Sequence, residues 1–228
     1  MFLVLPVYQP SAHLAALLDD VRSAAPDTRV VVVDDGSASA PVLDGGGVVL
    51  RHGINRGKGA ALKTGFRHVA RSCPGADVVC ADADGQHGVR DILRVAEQVR
   101  RTRRIVLGVR EVGPKMPLRS RFGNTVTQRL FRAATGHAVR DTQTGLRGYP
   151  GEMLDWLLGI PGERFEYEMN VLLYAARAGR PIEQISIDTT YLNENASSHF
   201  GVFADAVRIY RPLLRFAVSS LGTRGDRR

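Results

Sequence analysis

Residues 82–87 read DADGQH and follow directly on the apolar run VVCA. Asp82 and Asp84 stand at i and i+2, so in an extended chain both carboxylates face one side. A same-side pair of carboxylates, with the amide of Gln86 close by, suits a hard divalent cation such as Mg²⁺, which takes one or two carboxylates from a protein and completes its shell with substrate phosphates. The plain alternative is a solvated acidic turn. An EF-hand loop is excluded, because Gly85 arrives too early and Leu93 stands where the closing Glu belongs. His87 and the histidines other than His199 read as surface residues.

A second stretch with chemical potential is GINRGKGAAL, from Gly53 to Leu62. It misses the P-loop, since the first two glycines are one residue too close and Gly59 replaces the Ser or Thr. It also misses the dinucleotide fingerprint, with Leu62 in place of the third Gly. What remains is a helix start that can offer Lys58 and backbone amides to a phosphate or sugar. A plain glycine-rich start of a helix accounts for it equally.

The elements that must position these residues alternate along the first half of the chain. FLVLPVY, RVVVVDD, GVVLRH, ADVVCAD and RIVLGVR read as strands. HLAALLDDVRSA after an N-cap at Ser11, GAALKTGFRHVAR and RDILRVAEQVRR have apolar residues at helical spacing. Near-continuous Val, Ile and Leu strands belong to a parallel sheet covered on both faces, so the class is α/β, doubly wound. The second half reads as helices (SRFGNTVTQRLFRAA, MLDWLLG, YEMNVLLYAARAG) before a last strand, PIEQISIDTTY. In such sheets ligands sit beyond the carboxyl ends of the strands, which is where Asp34, Asp35 and DADGQH fall.

Composition narrows the partners. The 228 residues carry 31 Lys and Arg against 23 Asp and Glu, a net +8, which favours anionic ligands or surfaces. No nucleic-acid-binding pattern accompanies that charge, so nucleic acid is not an expected partner. Two cysteines without paired spacing, Cys73 and Cys80, suggest a reducing, cytoplasmic setting. The strand-like start carries no basic leader, and no secreted or membrane-spanning segment is expected.

Taken in order, VLPVY, VVVDDGS, GKGAALKTGF, DADGQH and DTQTGLRG resemble the family 2 inverting glycosyltransferases of GT-A fold, a single Rossmann-like nucleotide-diphospho-sugar transferase domain. Within them the chain looks like the branch of dolichyl-phosphate mannose synthase and the bacterial polyprenyl-phosphate glycosyltransferases, over nearly its whole length. The resemblance implies that Pro6 and Tyr8 line the base pocket and that Asp34 and Asp35 hold base or ribose. Lys58 is placed with the nucleotide sugar, Asp82 and Ala83 at the nucleoside, and Asp82, Asp84 and Gln86 at a Mg²⁺ or Mn²⁺ ion. Arg110, either Arg119 or Arg121, and His199 are implied at the acceptor phosphate, and Asp141 near sugar and acceptor. Glu166 and Glu168 fall where other branches keep a catalytic base, yet at i and i+2 on a helix they do not share a face. His199 stands where the mannose synthases have Lys, Asn193 and Asn195 where they have Arg, and Pro10 where they have an acid. These departures count against mannose and GDP.

The implied activity is metal-dependent transfer of a sugar, with UDP-glucose favoured, to a polyprenyl phosphate in cell-envelope glycan assembly. The alternatives are transfer to a hydroxyl acceptor and, from another class, a nucleotide-sugar binding module without turnover. The expected division is a catalytic domain over 1–201 and an amphipathic helical segment with a basic tail over 202–228. In that segment Phe203, Ile209, Leu213 and Leu214 share an apolar stripe beside Arg208, Arg211 and Arg215, with Pro212 as an interruption. It either packs on the domain or lies on an anionic membrane, which would make the protein peripheral at the inner face of the cell membrane. A membrane-protein partner is compatible with that location.

Overall fold

Strands too apolar to meet water are buried at the middle of one sheet. The computed structural model describes residues 1–43, 46–110 and 118–188, with the side chains of 118–123 excepted. Seven strands run in the spatial order β3-β2-β1-β4-β6-β5-β7: β1 (Phe2–Val7), β2 (Arg29–Asp34), β3 (Val48–Arg51), β4 (Val78–Cys80), β5 (Ile105–Arg110), β6 (Arg147–Tyr149) and β7 (Ile182–Ile187). Every pairing is parallel except those of β6, which runs antiparallel between β4 and β5. The mostly parallel doubly wound sheet is therefore as expected, while β6 is an addition. Three residues of the composition Arg-Gly-Tyr carry no strand signal of their own, and the slot between two apolar strands makes them one.

The period-two alternation of the central strands divides the core. Leu3, Leu5, Val32 and Val79 face α1 (Ala12–Ala24) and α3 (Val89–Thr102). Phe2, Val4, Val31 and Val33 face α2 (Lys58–Ser72), α5 (Leu154–Gly159) and α6 (Glu166–Arg177). Phe131 of α4 (Leu118–Thr135) joins this second layer. The Ser11 side chain caps α1 by accepting from the His13 amide.

Pro6 lies in a central strand, where a missing donor normally costs a ladder bond. Here it costs none. The Val4 carbonyl accepts from Ala81, so alternate residues of β1 point toward β4, and that ladder's register ends at Val4 with Cys80. Pro6 therefore faces the gap where β1 and β4 part, which is the mouth of the candidate site. Among the described residues no helix is long and apolar enough to cross a membrane. Residues 202–228, and with them the expected domain division, lie outside the described residues.

Candidate active site

The chain leaves β4 at Cys80 and bends over residues 83–85, with Gly85 at a φ of 83°. The bend replaces the extended run expected from sequence, because the Asp84 carboxylate folds back on its own loop: Oδ1 accepts from the Gln86 amide at 3.1 Å and Oδ2 from Gln86 Nε2 at 2.9 Å. Asp82 instead faces inward. Its Oδ1 lies 2.7 Å from Lys58 Nζ. Its carboxylate is also pressed so closely on Gly145 that a Cβ there would fall 2.0 Å from Oδ2.

These surroundings separate the two acids. Burial, the largest single influence, would push the Asp82 carboxyl up, but the Lys58 ammonium, through its charge and its hydrogen bond, together with the charges of His87 and Arg110 holds Asp82 below the usual range. Burial, then the charge of Asp82, push Asp84 up. Asp84 is thus the carboxylate whose charge lacks compensation, and a cation would relieve it. Among the described residues no three His, Cys, Asp or Glu side chains gather into a cage. The donor set of two carboxylates and an amide therefore fits a hard ion completed by phosphate oxygens.

Lys58, the first residue of α2, bridges two acids, with Glu168 Oε2 at 2.8 Å on its other side. Burial would lower its pKa, yet Asp82 and Glu168 together hold it above the ordinary value. Glu168 also meets Arg147, whose guanidinium is fully buried and donates to the carbonyls of Thr142, Thr144 and Glu168. The helix start is not an open anion nest. The amides of Arg56 and Gly57 donate to Asp35, and that of Ala60 donates to the Glu163 carbonyl at 2.7 Å. Gly59 is required because a Cβ would sit 2.5 Å from that of Tyr167, which explains the absence of a P-loop Ser.

At the end of β2, Asp35 is buried and its carboxylate is held from three sides, by those two amides and by His52 Nδ1 at 2.7 Å. His52 Nε2 meets Thr64 Oγ1 at 3.0 Å. Asp34, wholly buried, accepts from the Ser37 amide and lies 3.2 Å from Arg51 Nε. Tyr8 is 39% exposed at the end of β1 beside this pocket. Across the mouth, at the end of β5, Arg110 forms a fork on the fully buried Asp141, with Nε to Oδ2 at 2.6 Å and Nη2 to Oδ1 at 3.1 Å. Asp82 packs on Gly145, in the same segment as Asp141, the partner of Arg110, so the two halves adjoin.

Of the residues singled out from sequence, Pro6, Tyr8, Asp34, Asp35, Lys58, Asp82, Ala83, Asp84, Gln86, Arg110 and Asp141 all fall at or beside the ends of β1, β2, β4 and β5 or at the start of α2. Arg119 and Arg121 lie in α4 with side chains outside the description, and His199, Asn193 and Asn195 lie outside the described residues. Glu168 points into the site. Glu166 does not, since it accepts from the amides of Glu163 and Arg164 in the turn before α6. The reading of the histidines as surface residues is corrected at two positions. His52 is buried by its bonds to Asp35 and Thr64, and His87 is 4% exposed, burial holding its pKa down. Sequence reasoning also missed Arg147 and Gly145, although both stand in the DTQTGLRG motif it quoted.

The tight seat of Asp82 makes Gly145→Ala a sensitive probe. The added methyl must move the carboxylate by about an ångström, which is expected to cost about a hundredfold in kcat/KM for the donor. Thermal melting should show the sheet intact, and an active alanine variant would mean that the position of Asp82 is unimportant.

Residues 2–154 match the family model described as Glycosyl transferase family 2. The chain is 25% identical over 241 residues, covering 94% of this chain and 95% of the relative, to the UDP-N-acetylglucosamine–dolichyl-phosphate N-acetylglucosaminyltransferase of Methanococcus voltae. It is 29% identical over 199 residues, 81% of each chain, to the undecaprenyl-phosphate mannosyltransferase of Micrococcus luteus. Among solved structures, the glucosyl-3-phosphoglycerate synthase of Mycobacterium tuberculosis in complex with Mn²⁺, UDP and phosphoglyceric acid superposes with a TM-score of 0.69 at 19% identity, over 95% of this chain and 78% of that one. At that identity the likeness is one of fold.

Proposed function

This chain belongs to glycosyl transferase family 2 and is a glycosyltransferase, and we propose that it moves a sugar from a nucleoside-diphosphate sugar, UDP-glucose in the first instance, to a polyprenyl phosphate with inversion at the anomeric carbon. The observation that carries this reading is one mouth with two opposed features. A cation-suited loop, Asp82 to Gln86, faces a guanidinium held as a fork by a buried acid, Arg110 on Asp141. Both relatives described above carry a polyprenyl phosphate in their names, and one carries a UDP-sugar.

Pro6, Tyr8, Asp34, Asp35 and Ala83 would form the nucleoside pocket. Asp82, Asp84 and Gln86 would hold Mg²⁺ or Mn²⁺, which when bound supplies positive charge to the departing diphosphate. Arg110, with Arg119 or Arg121 and His199, would orient the acceptor phosphate. A phosphate monoester, with its second pKa near about 6, already presents a deprotonated oxygen at neutral pH, so no general base is required. The acids near the site are otherwise engaged, which supports this acceptor over a hydroxyl: Asp141 with Arg110, Glu168 with Lys58 and Arg147, and Glu166 with the amides of Glu163 and Arg164.

Incubation with UDP-glucose, Mn²⁺ and a short polyprenyl phosphate tests the proposal, the expected product being the lipid-phosphate glucoside of inverted configuration. Transfer to saccharide hydroxyls but not to lipid phosphate would favour the alternative acceptor. Nucleotide binding without turnover on either would favour a binding module. The acceptor's lipid also places the reaction at a membrane, with residues 202–228 as the segment that meets it from the cytoplasmic side. Sedimentation with anionic liposomes at low salt, released by about half-molar NaCl as the Debye length shortens, is the expected behaviour. Equal binding to neutral liposomes would remove the peripheral model.

A further inference from the structure

We propose that Lys58 is an internal counter-cation that keeps the Asp82–Asp84 pair from holding a divalent ion alone, so that the ion is taken up together with a nucleoside diphosphate. The inference rests on the reading of Asp82, Asp84 and Gln86 as the metal seat.

The sequence places Lys58 where a phosphate-binding lysine is expected, yet its ammonium is spent on the protein's own acids, 2.7 Å from Asp82 and 2.8 Å from Glu168. The arrangement continues inward as a chain of alternating charges, Asp82, Lys58, Glu168 and Arg147, anchored by the three carbonyls that fix Arg147. Close packing of Gly59 on Tyr167 and the Ala60 amide on Glu163 hold the start of α2 against α6, so Lys58 has little room to swing away. Charge then decides the chemistry. Asp82, Asp84 and Glu168 are three anions set against the two cations Lys58 and Arg147, and Arg110 and Asp141 neutralise each other. Among the described residues one uncompensated negative charge remains, at Asp84. A hard divalent ion gains little from one net charge, and Lys58, already on Asp82, repels it. A nucleoside diphosphate brings its own anionic oxygens and completes the shell.

A merely structural bracing of α2 on α6 would make loss of Lys58 and loss of Glu168 act alike. The counter-cation role makes them act oppositely. Mn²⁺ is titrated into the full chain by calorimetry and by its paramagnetic resonance signal, with and without UDP and with no sugar donor. The wild type is expected to bind Mn²⁺ weakly alone and at least about tenfold more tightly with UDP. Lys58→Met should tighten Mn²⁺ binding without UDP by about tenfold and shrink the gain from UDP. Glu168→Gln, which leaves Lys58 wholly to Asp82 while Arg147 keeps its carbonyls, should weaken it by several-fold. Melting curves report folding, and if Lys58→Met does not fold the glutamine variant decides by its sign. Unchanged or weaker binding in Lys58→Met, or tighter binding in Glu168→Gln, overturns the inference and leaves the metal seat standing. A wild type that binds no Mn²⁺ even with UDP overturns both.

Discussion

Asp84→Ala is expected to lower sugar transfer by about a thousandfold or more, the loss of several kcal/mol of leaving-group stabilisation, while the metal-free protein stays folded and no less stable. The two halves of this expectation have different origins. Activity falls because Asp84 is the uncompensated carboxylate of the cluster, with Gln86 of its own loop as its hydrogen-bond partner among the described residues. Stability holds because of the sign of its pKa shift. Burial and the neighbouring Asp82 raise the Asp84 pKa above its ordinary 3.8, so the folded state keeps its proton longer than the unfolded chain does. Such a group subtracts from stability as pH rises past that ordinary value, and at neutral pH removing its charge cannot cost the fold what it never contributed. Asp82 behaves oppositely, since Lys58 holds its pKa down. Its contribution is present above the ordinary carboxylate range and is lost on acidification, so Asp82→Ala should both inactivate and destabilise. Activity assays with melting curves at neutral pH separate the two acids. A chelator-treated enzyme that turns over normally, or an Asp84→Ala variant that melts well below the wild type, would refute the assignment.

The difference between these neighbouring acids marks where the sequence stops being legible. β1, β2 and β5 could be read because a run such as VVVV or IVLGV has no stable place except a sheet covered on both faces, and the strand ends then locate Asp34, Asp35, Asp82 and Asp84. The partners that give those residues different properties come from far along the chain. Asp35 is held by His52 and Gly57, 17 and 22 residues on. Asp82 is held by Lys58 on a helix that precedes its strand. Arg147 illustrates the limit most clearly: local rules put a guanidinium in water, whereas here three carbonyls and a carboxylate satisfy it in full burial and make a strand of the three residues it begins. Lys58 lies at the helix start, where its spacing puts it, but its partners are acids of the protein, a relation no spacing encodes.

Exchanging either member of the Arg110–Asp141 pair conservatively is expected to lower kcat/KM for the lipid-phosphate acceptor by about a hundredfold, and exchanging both should cost little more than exchanging one. Asp141 is wholly buried and takes both Nε and Nη2 of Arg110, while its Oδ1 also accepts from the Gln143 amide at 3.1 Å. The acid thereby fixes the plane of the guanidinium. Arg110→Lys keeps the charge, and with it a partner for the buried carboxylate, but a point charge has no plane to orient. Asp141→Asn keeps the volume but offers one acceptor where two are needed. Each change therefore removes the same thing, the orientation of the donor fork, which is why the second loss adds little to the first. Were Asp141 a general base for a hydroxyl acceptor, its exchange would strike kcat far harder and would compound with Arg110→Lys. A double-mutant cycle on acceptor kinetics, with UDP binding measured alongside to show an intact donor site, distinguishes the two. Additive losses would make Asp141 the base and the acceptor a hydroxyl.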